Sequence, residues 1–176
     1  MPEPTRTFLA SDRLGWRRWH TDDLPLAVSL WGDAQVARFI HADGAPDAAA
    51  IAARLAREID TQRTHGYQYW PLFLREGDAF VGCCGLRPYR PEAGIAEWGV
   101  HLQPAYWRRG LAEEAGRATI AYAFDVLGLQ ALFAGHHPHN DASRRMLEKL
   151  GFRYTHAELY PPTGLQHPSY LLARAP

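Results

Sequence analysis

The sequence has few cysteines and no long apolar segment, and these absences exclude several classes of protein. Its two cysteines, Cys83 and Cys84, are adjacent and cannot readily pair with each other, which excludes a disulfide framework and favours a reducing, cytoplasmic location. No uninterrupted apolar run has the length that crosses a membrane, and the first residues show no signal-peptide pattern. The 19 basic and 19 acidic residues cancel, so no overall charge attracts the chain to nucleic acid or to an anionic membrane.

Two common phosphate-binding motifs are also absent. No Gly-x-Gly-x-x-Gly follows a predicted strand, and no Gly-Lys-Ser or Gly-Lys-Thr occurs, which excludes a dinucleotide fingerprint and a Walker loop. Residues 98–113 instead contain a strand-like run, a loop with Arg108 and Arg109, and a helix that begins near Gly110. The N–H groups at a helix start have no intrahelical partner, and a glycine there lets an anion approach the backbone closely. This junction therefore predicts a site for a phosphorylated cofactor.

The chain length and the hydrophobic pattern predict one globular domain over residues 1–176. The predicted strands cover residues 15–19, 67–74, 79–86, 95–102, 131–136, 152–159 and 169–173. The predicted helices cover residues 21–31, 48–59, 110–127 and 141–150. This order indicates an α/β (α+β) fold with a mixed central sheet, helices on both faces, and a parallel pair formed by strands 95–102 and 131–136.

Two motifs resemble those of the GNAT acyl-CoA-dependent N-acetyltransferases. Residues 107–112 (WRRGLA) resemble the pyrophosphate loop of that superfamily, usually Arg/Gln-x-x-Gly-x-Gly/Ala. Gly110 and Ala112 match its last two positions, whereas Trp107 stands where Arg or Gln is usual. About thirty residues later, residues 139–152 (HNDASRRMLEKLGF) resemble the Asn-x-x-Ser…Glu-Lys-Leu-Gly-Phe stretch of the same proteins, with the apolar stripe and terminal glycine of a short helix.

The resemblance extends over nearly the whole chain, roughly from residue 10 to residue 172. The early segments 11–19 (SDRLGWRRW), 21–24 (TDDL) and 31–33 (WGD), with the late segment 160–165 (YPPTGL), are similar to the ribosomal-protein N-terminal acetyltransferase branch. The resemblance implies a mostly antiparallel sheet in which strands 95–102 and 131–136 splay apart, so that the pantetheine arm of acetyl-CoA enters the gap between them.

Acyl transfer to an amine benefits from a base, and Glu97 is the candidate because it interrupts an apolar strand beside the implied acyl site. An exposed position, or a pair with an arginine, is the structural alternative, and Glu97 could act directly or through water. By resemblance Ser143 is the candidate proton donor to the CoA sulfur, although a first-turn helix serine often bonds its own backbone. Asn140 is expected to bind the pantetheine arm or order a water, or simply to cap the helix.

The implied cofactor site is built mainly from backbone. The amides of Arg108, Arg109, Gly110, Leu111 and Ala112 are expected to bind the pyrophosphate. Val100 and Leu102, on the strand before this loop, are also expected to bind the cofactor, and a backbone N–H near Val100 is expected to stabilise the oxyanion.

The histidine run 136–139 raises the question of a metal site. Adjacent residues of an extended segment point to opposite faces, so their imidazoles cannot converge on a zinc ion, and no metal is expected. One of these histidines remains an alternative base in place of Glu97. His101 alternates away from Val100 and is expected to be a packed or hydrogen-bonded strand residue.

The function implied is transfer of an acetyl group from acetyl-CoA to a primary amine by direct attack. Neither motif contains a cysteine, so a covalent acyl-cysteine route has no support. The acceptor stays open between a protein N-terminus and a small amine, a longer acyl-CoA is not excluded, and a homodimer is compatible with the resemblance. A non-catalytic acyl-CoA-binding sensor is the alternative from another functional class. Nucleic-acid and membrane partners are not expected.

Overall fold

The computed structural model describes residues 6–176, and the first residues, where the sequence shows no signal-peptide pattern, lie outside the described range. The strands are β1 (Leu9–Ala10), β2 (Leu14–Trp16), β3 (Tyr69–Leu74), β4 (Phe80–Arg90), β5 (Ile95–Leu102), β6 (Ala131–Gly135), β7 (Arg153–Tyr160) and β8 (Leu165–Ala173). The helices are α1 (Leu24–Trp31), α2 (Ala34–Ala37), α3 (Ala48–His65), α4 (Leu111–Asp125) and α5 (Asp141–Lys149).

The strands form one eight-stranded sheet in the order β1-β2-β3-β4-β5-β6-β8-β7. The pair β5–β6 is parallel and the other pairs are antiparallel. The parallel pairing joins Ile95 to Ala131 and stops at Glu97 opposite Phe133, although both strands continue beyond that point. The prediction of a mixed sheet with a splayed parallel pair is confirmed.

Two hydrophobic cores, one on each face of the sheet, account for the burial of the helices. One core includes residues of α4 and α5, and the other includes residues of α1, α2 and α3. Cys83 and Cys84 illustrate the division, because these neighbours on β4 belong to different cores and both are free thiols. Successive side chains of a strand point to opposite faces, so helices cover both sides of the sheet, as predicted.

Several predicted boundaries were wrong near the start of the chain. The first strand ends at Trp16 and not at Trp19, because its pairing with β3 stops at Trp16 opposite Leu72, and Trp19 packs in the core on the α1–α3 face. The helix predicted from residue 21 begins as a 3-10 turn, since the Asp23 carboxylate accepts from His20 N and pairs with Arg17. The α-helix then starts at Leu24.

Other elements differ in length from their predictions. Helix α3 continues to His65 and ends at Gly66, whose φ of +80° is the left-handed conformation of a helix terminator. Helix α4 stops at Asp125, two residues before the predicted end. Strand β4 continues to Arg90 and β8 begins at Leu165, because each pairs along its length with a neighbour. In residues 6–176, no helix is long and apolar enough to cross a membrane.

Candidate active site

A cleft of about 640 Å³ lies where β5 and β6 separate. The last paired residues are Glu97 and Phe133, and the cleft is lined beyond them by Val100, Ala134 and Gly135. Residues from both faces of the sheet line the cleft, so it passes through the gap between the two strands. We call the part on the α4–α5 face the donor half and the part on the α1–α3 face the acceptor half.

The donor half ends at the loop before α4. Gly110 is the N-cap of α4 with a φ of +74°, and no side chain caps the helix within the described residues. The first-turn N–H groups of Leu111 and Ala112 therefore have no intrahelical or side-chain acceptor. A Cβ built on Gly110 would meet no atom closer than Arg13 Nη2 at 3.5 Å, which leaves open space above the loop. These features fit a pyrophosphate held by backbone amides.

The loop is held in place by the hairpin that joins β1 to β2. Arg13 donates from Nη1 to the carbonyl of Arg109 at 2.8 Å and from Nε to Glu114 Oε2 at 2.6 Å. Ser11 donates from Oγ to the other carboxylate oxygen of Glu114 at 2.6 Å. Ser11 and Arg13 lie in the early segment that resembles the N-terminal acetyltransferase branch, and the sequence predicts no site role for them. Their contacts with Glu114 span 103 and 101 residues of chain, respectively, and no local sequence pattern encodes them.

Trp107 and the end of β5 are also connected. The Trp107 indole N–H donates to the carbonyl of Leu102 at 2.8 Å, so the residue that departs from the loop motif fastens the loop to the strand. Gln103 N donates to Val81 O on the β4 side. Because backbone groups alternate with a period of two, the N–H of Val100 points away from β4 and into the gap.

Helix α5 brings two predicted residues to the donor half. Asn140 caps the helix, with its Oδ1 accepting from Ser143 N at 3.1 Å, and both side chains line the cleft. Arg108 lines it from the loop with a φ of +60°, whereas the Arg109 guanidinium lies over the Tyr106 ring, outside the lining.

Of the predicted residues, all but Arg109 line this single cleft: Glu97, Val100, Leu102, Arg108, Gly110, Leu111, Ala112, Asn140 and Ser143. The sequence did not indicate Arg145, a further cation of the donor half on the exposed side of α5.

Glu97 lies in the acceptor half. Odd-numbered residues of β5 face α1–α3, whereas Ala96 and Trp98 pack in the core on the α4–α5 face. Burial raises the pKa of the Glu97 carboxyl, the nearby Arg87 guanidinium opposes this shift, and the Glu158 carboxylate reinforces it. A raised pKa brings a carboxylate closer to the range in which a general base works best.

Four further charged or polar groups of the acceptor half were not predicted. Arg54 comes from α3, Tyr69 from β3, Arg87 from β4 and Glu158 from β7. Gly99 lets the Tyr69 phenol cross β5, because a Cβ at that position would overlap the Tyr69 hydroxyl. Glu158 accepts hydrogen bonds from Tyr89 Oη and is paired with His156, each at 2.7 Å. The pKa of Glu158 is lowered by these partners.

The histidines that line the cleft differ in their hydrogen-bond partners and in their burial. His136 is buried, with Nδ1 2.8 Å from the carbonyl of His137 and Nε2 3.2 Å from Tyr170 Oη, so both of its nitrogens are occupied. His137 and His167 line the cleft with ring centroids 5.6 Å apart, and burial lowers the pKa of His167 to about 4. Within residues 6–176, no group of three or more His, Cys, Asp or Glu side chains could hold a metal ion.

His101 is packed as expected. Burial lowers its pKa well below the ordinary value, and its ring meets that of Tyr69 edge-on at 5.7 Å.

Comparison with known proteins identifies the same acetyltransferase family that the two sequence motifs resemble. Residues 13–153 match the family described as acetyltransferase (GNAT) domain. The uncharacterized N-acetyltransferase p20 of Bacillus licheniformis is 26% identical over 145 residues, which are 82% of this chain and 82% of that protein.

Solved structures share the fold. A GNAT-family acetyltransferase from Bacillus anthracis superposes with a TM-score of 0.77 at 23% identity, covering 93% of this chain and 95% of that one. The ribosomal-protein acetyltransferase RimL in complex with coenzyme A superposes with a TM-score of 0.79 at 15% identity, covering 96% and 98% of the two chains.

Proposed function

We propose that this chain, which belongs to the GNAT acetyltransferase family and uses acetyl-CoA, acetylates a primary amine. The amine is either a protein N-terminus or a small molecule, and it attacks the acetyl group directly in a ternary complex. The single observation that carries this proposal is the cleft through the sheet. One half ends at an uncapped helix start suited to a pyrophosphate, and the other half holds a carboxylate with a raised pKa.

The donor half holds the cosubstrate in this proposal. The amides of residues 108–112 bind the pyrophosphate, and Arg108 adds a cation beside it. Asn140 and Leu102 contact the pantetheine arm, which lies in the gap between β5 and β6. Acetyl-CoA supplies an activated acetyl thioester.

Three groups of this chain carry the proton transfers and the developing charge. The Glu97 carboxylate accepts the proton that the amine loses as its nitrogen attacks the acetyl carbon. The N–H of Val100 donates to the carbonyl oxygen, where negative charge develops as the carbon becomes tetrahedral. When the carbon–sulfur bond breaks, the Ser143 hydroxyl donates a proton to the sulfur and takes up a proton from solvent water in its place. Both cysteines are buried and lie outside this arrangement, in agreement with direct attack.

We propose membership of the ribosomal-protein N-terminal acetyltransferase branch on the early and late sequence segments. The superposition on RimL supports a fold shared by this chain and a member of that branch. The two buried free thiols support a reducing, cytoplasmic location.

The test is thiol release from acetyl-CoA in the presence of mixed small amines and peptides, with the acetylated product identified by mass spectrometry. We expect release that depends on an amine and falls in Glu97→Gln. Glu92→Gln is the matched control, because Glu92 is exposed in the turn that precedes β5. Binding of acetyl-CoA without amine-dependent release from any acceptor would contradict catalysis and favour a sensor.

A further inference from the structure

Two arginines, Arg54 and Arg87, face the acceptor half without a direct carboxylate partner. Both line the cleft, and among residues 6–176 no Asp or Glu oxygen lies within 4.0 Å of either guanidinium. The two cations are close enough to affect each other, since burial and the Arg87 charge both lower the pKa of Arg54, while Glu58 is among the groups that oppose this shift. Like charges gathered in a partly buried site are costly unless an anion compensates them.

Each guanidinium is held by an aromatic ring. Arg54 Cζ lies 4.1 Å from the centroid of the Trp31 ring, and Arg87 Cζ lies 4.7 Å from that of the Tyr69 ring. Stacking occupies the flat face of a guanidinium and fixes its plane, but it leaves the N–H groups along the edge unused. Arg54 Nη2 is buried and has no hydrogen-bond partner among the described residues. A planar carboxylate is the group that best matches such an edge.

The carboxylates of this region do not fill that role. Glu58 Oε2 accepts from the backbone N–H of Tyr69 at 2.9 Å, and Glu158 is bound by Tyr89 and His156. Glu97 is the cross-strand neighbour of Arg87, but its oxygens lie beyond 4.0 Å from both guanidinium groups. The acceptor half therefore presents two arginines and two cleft-lining carboxylates, Glu97 and Glu158, as separate charges.

We propose that the acceptor is a small zwitterionic amine, whose carboxylate binds Arg54 and Arg87 while its amine lies toward Glu97; the inference rests on the proposed function. A free amino acid has this chemistry. A protein N-terminus does not, because a neutral amide replaces the carboxylate and cannot make the charge-assisted hydrogen bonds that a carboxylate makes with the guanidinium edges. The aromatic rings of Phe39, Phe133 and Tyr160 also line this half and suit an apolar side chain.

The first experiment compares acceptors on the wild-type enzyme at saturating acetyl-CoA. The common L-amino acids are assayed singly for thiol release against their primary amides, with L-leucine, L-leucinamide and isopentylamine as the reference trio. We expect kcat/KM to be at least about ten-fold higher for the acid of the preferred pair, the scale of a charge-assisted hydrogen bond. The carboxylate raises the pKa of the neighbouring amine, so amine ionisation alone would favour the amide. A preference for the acid must therefore come from recognition.

The second experiment assigns the recognition to the arginines. Arg87→Met and Arg54→Met keep an apolar stem and remove the charge, and we expect each to raise the KM of the acid at least about ten-fold more than the KM of the amide. Any effect of the lost charge on the Glu97 base is common to both acceptors and cancels in this ratio. Arg57→Met is the matched control, because Arg57 lies on the exposed side of α3. Thermal unfolding checks that the variants are folded, and the wild-type comparison of acids with amides does not depend on them.

A binding measurement separates this inference from the proposed function. N-acetyl-L-leucine and its amide are titrated into the CoA-loaded enzyme, and we expect tighter binding of the acid that is lost in Arg87→Met. Preferred acetylation of amides, decarboxylated amines or peptide N-termini would overturn the zwitterionic acceptor and leave N-acetylation intact. Absence of all turnover, together with carboxylate-dependent binding, would overturn the proposed reaction and leave the anion site intact. Equal binding of acid and amide, with no preference in turnover, would overturn the anion site.

Discussion

Gly110 provides the most direct test of the anion site at the start of α4. Its φ of +74° costs an L-residue about 1–2 kcal/mol, and a Cβ there would meet only Arg13 Nη2, at 3.5 Å. If a phosphate occupies that space, Gly110→Ala must displace it or weaken a bond to a first-turn N–H, and a hydrogen bond to a charged group contributes about 1.5–3 kcal/mol. We therefore expect the Kd for CoA to rise about 10- to 100-fold, and further in Gly110→Val.

A matched glycine separates backbone strain from loss of the ligand site. Gly128 follows the other end of α4 with a φ of +69°, and a Cβ there would meet no atom within 4 Å. Denaturant unfolding should show both alanine variants destabilised by a similar amount, about 1–2 kcal/mol. Calorimetric titration with CoA should show weaker binding in Gly110→Ala alone. A wild-type Kd in Gly110→Ala, or an equal loss in Gly128→Ala, would refute the assignment of the loop.

Other substitutions test the remaining roles. Glu97→Gln should lower turnover about 10²-fold or more at pH 7, with a smaller loss at high pH, where the amine deprotonates unaided. Because burial raises the pKa of Glu97, the wild-type rate should begin to fall on acidification at a pH above the ordinary carboxyl range. An unchanged rate of Glu97→Gln at pH 7 would direct attention to His137 as the base. Ser143→Ala should cost about 10-fold in turnover, since a thiolate leaves tolerably without help, whereas a change confined to the Michaelis constant for acetyl-CoA would mean that the hydroxyl donates no proton. Asn140→Ala should act mainly on acetyl-CoA affinity and remove about 1 kcal/mol of stability with the helix cap, as measured by calorimetry and unfolding. Arg13→Met should weaken CoA binding with little change in stability, because half of the Arg13 side chain is exposed but its bonds position the loop, and unaltered affinity would contradict that positioning role.

The sequence predicted those elements whose pattern is local. The helix α4, with a glycine at its start, and the strand β5, with one carboxylate among apolar residues, carry their signals within a single segment. The two-residue strand β1 and the four-residue helix α2 were missed, since such short elements depend on partners elsewhere in the chain. The same reason explains why β8 was predicted too short: its first half, from Leu165, is held by pairing with β7.

The donor half was predictable because its parts are close in sequence, whereas the acceptor half was not. Arg54 and Arg87 come from a helix and a strand that meet only in the folded chain. The strand predicted over residues 79–86 stops one residue before Arg87, and only its extension to Arg90 pairs Arg87 with Glu97. The charged face of α3 resembles the solvated face of any amphipathic helix, so no local signal separates Arg54 from the exposed Arg57.

The alternation of side chains along β5 has a consequence for how this enzyme can change. Even-numbered positions such as Val100 face the donor half, and odd-numbered positions such as Glu97 and Gly99 face the acceptor half. A substitution at an odd position therefore alters the surroundings of the amine and leaves the opposite surface of the same strand untouched. The range of amines that the enzyme accepts can therefore change while the binding of acetyl-CoA is retained. Libraries confined to odd positions of β5 and the neighbouring surface of α3 offer a route to new amines on an unchanged donor site.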